Sequence, residues 1–343
     1  MNDVPGPGPA STTSRTAKDW AVILARYCQP NAARGAFEIA ITLVPLIGLA
    51  GLAAWTMSTN LWLGLLLCVP AAGFLVRLFV IQHDCGHGAF FKSRRMNDWV
   101  GTALGVLTST PHLIWKHSHT YHHSGSGNLD KRGMGAIHTL TVEEYLEKGW
   151  WNRLLYRLYR NPVILFFIGP PFVFLIQNRL PFEFFTRGLG FWASALGSNV
   201  AMILASLPLV WAFGWLPVLL VYAATTTLAA IVGVWLFYVQ HQFEGTHWSR
   251  NVEWQMHDAA LHGSSHYDLP TVLRWITGNI GIHHVHHLNS RIPLYRLWDT
   301  MRDHPELKSI NRLTLWDSFR TVGLHLWDEA NGRMVSFSEA KVA

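Results

Sequence analysis

Leu75-Val76-Arg77-Leu78-Phe79-Val80-Ile81-Gln82-His83-Asp84-Cys85-Gly86-His87 joins two kinds of sequence in one helical register. The first part closes an apolar run, 61 to 81, about as long as the roughly 20 residues that cross a bilayer. The last part sets His83 and His87 four residues apart, on one helix face. A membrane span therefore runs straight into a pair of side chains spaced like metal ligands. Two further clusters follow, His119-Thr-Tyr-His122-His123 and His283-His-Val-His286-His287. Together they offer eight imidazoles, more than one tetrahedral or octahedral ion uses, and so predict a two-metal site.

Working outward from this junction, the composition agrees with a membrane protein: half of the 343 residues are hydrophobic and only 14% are charged. Four apolar runs, at about 37–57, 61–81, 191–213 and 216–238, form two hairpins with tips at Met57 to Asn60 and Phe213 to Leu216. Neither tip carries a Lys or Arg. Four basic residues precede the first run, twelve lie between the hairpins and ten follow the last, so the positive-inside rule predicts cytoplasmic termini and a cytoplasmic central segment. Trp55, Trp62, Trp211 and Trp215 near the tips fit the aromatic belt of the opposite interface. Arg77 alone lies within a run, close enough to its end to snorkel.

Ligands of one site must lie on one side, so an even number of crossings must separate the three clusters. Two shorter apolar stretches, 99–114 and 162–178, are therefore expected to re-enter or lie in the interface. Regions 142–160 and 305–327 read as surface or cap helices. Met1 to about Lys18 reads as a disordered cytosolic tail and 1–30 as tail and lead-in, with one membrane domain over 31–343. The first thirty residues hold no apolar core of the kind a signal peptide needs. Cys28, Cys68 and Cys85 form no disulfide pattern and suit a reducing face. Cys85 reads as a small residue packed beside the ligands rather than a thiolate ligand. A net charge of +6 follows the spans and forms no aromatic-interleaved patch, which argues against nucleic acid as a partner.

Spacing leaves the metal open, because imidazole suits iron, copper, nickel and zinc. A zinc protease would need a glutamate between His83 and His87, where Asp84 stands. His112, His138, His247, His304 and His325 are isolated and read as surface or hydrogen-bonding residues. His257, His262 and His266 resemble a helix stripe more than a ligand set.

The strings HDCGHGAFF from 83, WKHSHTYHH from 115, FYVQHQFE from 237 and TGNIGIHHVHHLNSRIPLY from 277 resemble the membrane fatty acid desaturase family, in particular its acyl-lipid delta-12 (omega-6) type. The likeness runs from about residue 40 to 335. It implies an all-α integral membrane protein: four transmembrane helices in two hairpins, with a cytosolic helical cap holding two non-haem iron ions and O2 as co-substrate. Carried over box by box, the ligands are His83, His87, His119, His122, His123, His283, His286 and His287. His241 falls where the family commonly recruits one more. His117 and His284 occupy places that the pattern does not use. Asp84, Asp130, Glu244 and Asn279 are candidates to orient imidazole N–H groups from behind.

The implied substrate is a fatty acyl lipid, held in an apolar tunnel beneath the metals. The chain has no haem, iron–sulfur or flavin signature, so electrons are expected from a separate ferredoxin or cytochrome b5 type carrier. Lys92, Arg94 and Arg95 are candidate docking residues, although retention of anionic lipid explains them equally well. Hydroxylases, epoxygenases and carotenoid oxygenases share the ligand pattern. A non-catalytic histidine-rich membrane metal-binding protein is the rival of another class; a transporter would carry ionisable ligands within its spans.

Overall fold

The computed structural model describes residues 15–341. Most of the expected disordered tail falls on 1–14, outside the described residues. From Ala17 the chain is already helical in α1 (Ala17–Leu24), which Thr16 starts by accepting a hydrogen bond from the Asp19 amide. Trp20, Leu24 and Tyr27 then pack into one apolar cluster with Leu261, Ile282, Val285 and Leu288. The lead-in is thus ordered against the segment that carries the third histidine cluster, because its apolar face finds a partner there.

α2 (Ala32–Met57) and α3 (Leu61–Gly86) form the first hairpin. Asn31 and Asn60 cap them, each side-chain oxygen taking an otherwise orphaned amide of the first turn. Gly64 lets the two helices close, since a Cβ there would lie 2.9 Å from the Ala53 carbonyl oxygen. Arg77 does not snorkel. It is buried, hydrogen-bonded to Glu38 of α2 and the Trp275 carbonyl, and 3.1 Å from the Thr42 hydroxyl. Glu38 also takes a 2.8 Å hydrogen bond from Arg34. A buried cation costs little only when paired and saturated with hydrogen bonds, and the partner on α2 supplies both.

α4 (Arg94–Leu107) and α5 (His112–Gly125) are joined by a tight turn at Thr108 to Thr110, with Ser109 in the left-handed region at φ 58°. The apolar stretch 99–114 therefore doubles back, which returns His119 to within 3.1 Å of His87. β1 (Leu140–Thr141) leads into α6 (Val142–Glu147) and α7 (Trp150–Tyr159). The next segment, 164–179, holds α8 (Gly169–Pro171) between two π-helical runs and is bent 53° from α7. It leaves from Arg160, which donates to Gln242 at 3.0 Å, and dips to Arg179, which donates to the Ser109 carbonyl. It comes back at Phe184, which with Phe191 flanks His117. Both ends thus lie on the histidine side.

α9 (Leu189–Phe213) and α10 (Trp215–His241) form the second long hairpin, reversing on Gly214 at φ 82°, a conformation that favours glycine. Among the described residues, α2, α3, α9 and α10 are the four helices long and apolar enough to cross a membrane. α3 and α10 continue beyond the expected limits of the runs, to Gly86 and His241, and so lift His83 and His241 into the cap.

The cap is built from α11 (Met256–His262), β2 (His266–Asp268), α12 (Thr271–Ile276), α13 (His283–Leu288), α14 (Leu294–Asp303), β3 (Arg312–Thr314), α15 (Leu315–Arg320), β4 (Leu326–Asp328) and β5 (Arg333–Val335). It is mostly helical, with β2 parallel to β3 and a small β1-β4-β5 sheet. Region 305–327 is consequently not one helix. It turns at Asn311, φ 47°, into β3, and Thr314 then caps α15. Region 142–160 divides at Lys148 and Gly149, between α6 and α7.

Candidate metal centre

Four elements bring nine imidazoles together. α3 carries His83, with His87 at its end; α5 carries His119, His122 and His123; α10 ends on His241; and α13 carries His283, His286 and His287. They divide into two groups, His83, His87, His119, His123 and His286 in one, His122, His241, His283 and His287 in the other, with the ligand atoms of each group all within 4.8 Å of one another. The division follows from helix geometry. Residues three and four ahead of a given histidine differ by one residue, about 100° around the axis. On α5 the pair at i, i+4 (His119, His123) serves the first group and the residue at i+3 (His122) the second. On α13 the roles reverse: His283 and His287 join the second group and His286 the first.

Within the first group Nε2 of His119 lies 3.1 Å from that of His87 and 3.1 Å from that of His123, which is 3.2 Å from that of His286. In the second, Nε2 of His241 lies 3.1 Å from that of His122 and 3.0 Å from that of His283, and His122 faces His287 at 3.3 Å. Nitrogens each about 2.0–2.1 Å from a common ion lie about 2.8–3.4 Å from one another, between right-angle and tetrahedral arrangements. Hydrogen bonding does not account for this convergence, because a neutral imidazole has one donor and several of these atoms face two others. Nε2 of His83 is buried with no hydrogen-bond partner, aimed into the first group. The donor set fits a metal in each group. Burial, then neighbouring imidazoles, holds His87, His119, His122, His123, His283, His286 and His287 well below the usual imidazole range, so their lone pairs are free at neutral pH.

Behind the imidazoles, Asp84 Oδ1 lies 3.1 Å from His83 Nδ1 while its other oxygen accepts the Leu294 amide at 2.6 Å. The Gly263 carbonyl lies 3.3 Å from His241 Nδ1. Of the other three acidic or amide candidates, two are engaged elsewhere and one faces solvent. Asp130 accepts from Arg250 and the Asn251 amide, Glu244 is exposed, and Asn279 sits at φ 58° with its amide donating to the Leu294 carbonyl. Asp130 is held by its ion pair and Asn279 by its carbonyl partner, not by an imidazole. His117 is exposed, whereas His284 is buried and faces the Leu307 carbonyl at 3.1 Å, on the far side of α13. His112 is buried rather than superficial, packed against Gly101. His257, His262 and His266 do not converge: His262 is exposed and His266 faces the Lys308 carbonyl.

Trp115 was not singled out by the spacing of histidines. Its indole stacks on His119 at 4.5 Å and 19°, and its i, i+4 offset from that histidine is the signal that finds it. Below the two groups lies a cavity of about 260 Å³. Its walls are Leu75, Phe79, Phe174, Val234, Leu236 and Phe237, and it reaches His83 and His119 of the first group and His283 of the second.

Residues 60–316 match the fatty acid desaturase family. A fatty acid desaturase of Bacillus subtilis is 42% identical over 318 residues, 93% of this chain and 90% of that protein. An sn-1 acyl-lipid omega-3 desaturase (ferredoxin) of Synechocystis is 28% identical over 64% of this chain and 61% of its own length. An sn-1 oleoyl-lipid 12-desaturase of Anabaena variabilis is 25% identical over 82% and 79%. With nine converging imidazoles above an apolar cavity and a family match across three quarters of its length, the chain belongs to the fatty acid desaturase family, oxidoreductases that act on fatty acids.

Proposed function

We propose that the chain is an O2-dependent di-iron acyl-lipid desaturase that inserts a cis double bond into the acyl chain of a membrane lipid, of the delta-12 (omega-6) type. The observation that carries this reading is the cavity: one apolar space touches imidazoles of both groups. An unactivated C–H offers no handle for acid–base chemistry, and a pair of irons bound by the nine imidazoles would supply the oxidising power of O2. Removing two hydrogens yields two electrons; two more from a donor, with two protons, complete the reduction of O2 to two waters.

The residues around the irons do the remaining work. His83, His87, His119, His123 and His286 would hold one ion and His122, His241, His283 and His287 the other. Asp84 and the Gly263 carbonyl fix the orientation of His83 and His241. Trp115 holds His119 from one side, and the apolar walls exclude water and bind the chain by burial, about 0.8 kcal/mol per CH2. Both termini and the centre lie on the cytoplasmic side in this reading, where exposed Lys92, Arg94 and Arg95 offer a docking surface to an acidic ferredoxin or cytochrome b5 type donor. Support for a ferredoxin comes from the Synechocystis relative, whose name specifies one.

The test is expression in a host rich in saturated and monounsaturated chains, with lipid analysis by gas chromatography and mass spectrometry. New dienes at the twelfth bond, and about two irons per purified chain, are expected. Hydroxy acids in place of dienes, or full activity with a single zinc, would overturn the reading. His286→Ala is expected to abolish product while the protein still reaches the membrane.

A further inference from the structure

Two spaces reach the imidazoles. Besides the apolar cavity, a second space of about 20 Å³ lies between α5, the loop that follows it and the end of α10. It runs from exposed Lys131, past half-buried Met134 and Ala136, to buried His122 and His241 of the second group. Phe237 alone lines both spaces, its ring 5.1 Å from that of His122 and 5.3 Å from that of His241. It is the wall between them.

The smaller space has the size and the polarity of a site for one water molecule, which needs about 10–15 Å³ and two to four polar partners. His122 turns Nε2 toward the second group, 3.1 Å from that of His241, so a metal bound there leaves the imidazole hydrogen on Nδ1. That Nδ1 is buried with no hydrogen-bond partner among the described residues, and so is Nε1 of Trp248, which also lines the space. A ligating imidazole ordinarily gives its second N–H to a carboxylate, a carbonyl or a water. His83 has Asp84 for this and His241 has the Gly263 carbonyl. His283 and His286 have no such partner either, but neither lines this space. Ser126, Gln242 and Gly263 on its walls supply carbonyl oxygens to take the hydrogens of a water.

The reaction also requires solvent. Each double bond takes up two protons and releases two waters, yet no Lys, Arg, Asp or Glu lines the apolar cavity. Resting on the desaturase reading, we propose that the smaller space holds an ordered water, which accepts from Nδ1 of His122 and Nε1 of Trp248, and that water and protons pass through it between solvent and the centre. This water orients His122 as Asp84 orients His83. Phe237 is the partition that keeps it out of the acyl space.

The water site is tested without turnover, on the zinc-loaded full chain in detergent with 15N-labelled tryptophan. Trp248→Phe identifies the Trp248 indole signal by its loss. In the wild type that indole N–H is expected to show magnetisation transfer to water, and Ala136→Leu, which fills the space from its wall, is expected to abolish the transfer. A wild-type Trp248 signal without transfer, or an equal transfer in Ala136→Leu, overturns the site. The partition is tested in the iron-loaded enzyme with Phe237→Ala, which joins the two spaces. More of the O2 consumed is then expected to leave as hydrogen peroxide, having taken two electrons and two protons without dehydrogenating a chain; an unchanged peroxide yield per O2 overturns the partition. A wild type that forms no double bond overturns the desaturase reading itself and leaves the water site to stand on the indole signal.

Discussion

Gly86 and Gly233 are glycines for opposite reasons, and each carries a prediction. A Cβ on Gly86 would stand 2.6 Å from the Trp115 ring that stacks on His119. Gly86→Val must therefore displace that indole, at an overpacking cost of about 1–3 kcal/mol. Metal analysis of the purified variant is expected to show less bound metal than wild type; an unchanged content would mean that Trp115 does not position His119. Gly233 lines the cavity, and a Cβ there meets nothing within 4 Å. Gly233→Leu fills acyl space while removing a poor helix former, a gain of up to about 1 kcal/mol for α10. Product formation is expected to fall by about tenfold or more, following the roughly 1.4 kcal/mol per decade of affinity, with iron content intact. Full activity would separate the cavity from the acyl site.

Helical spacing made the histidine-bearing elements legible before any coordinates, because i, i+4 pairs share a face whatever surrounds them. What spacing left open was the exchange of partners between α5 and α13, since it depends on how two helices face each other. The Arg77–Glu38 pair was hidden for a similar reason: 39 residues separate its members, and only the packing of α2 on α3 joins them. The loop between α5 and α6 is held by Arg132, which donates to the Thr139 carbonyl at 2.6 Å and pairs with Glu144 of α6. Hydrogen bonding from Arg132 holds the Glu144 carboxyl down to about 2, from an ordinary 4.5. A folded value below the unfolded one means the pair stabilises fully above about pH 4.5, and its contribution is lost as pH falls from there toward 2. Thermal unfolding in detergent is expected to show Glu144→Gln less stable than wild type at pH 7, with the gap narrowing below about pH 4.5 and nearly closed near pH 2. A stability gap of the same size at both pH values would rule out the ion pair as its source.

At the scale of the whole chain, parity of crossings anticipated the arrangement, and α4–α5 and 164–179 do return to the histidine side. The small sheets were not legible because two- and three-residue strands carry no periodicity. The nine imidazoles come from α3, α5, α10 and α13, so bound metal ties elements that otherwise meet through repelling lone pairs. Chelation is therefore expected to lower the unfolding temperature and to hasten proteolysis of the cap, as loss of any ligand specific to the folded state does; unchanged unfolding after metal removal would show that metal does not brace the cap. The rings of His123 and His287 lie face to face at 4.0 Å and 9°, yet belong to different groups. They form a party wall between two rooms: filling one sets the wall that the other needs. Metal loading is then expected to be cooperative, and native mass spectra taken during the same chelation should show chains with two metal ions or none; a large share carrying one would show that the two groups fill independently.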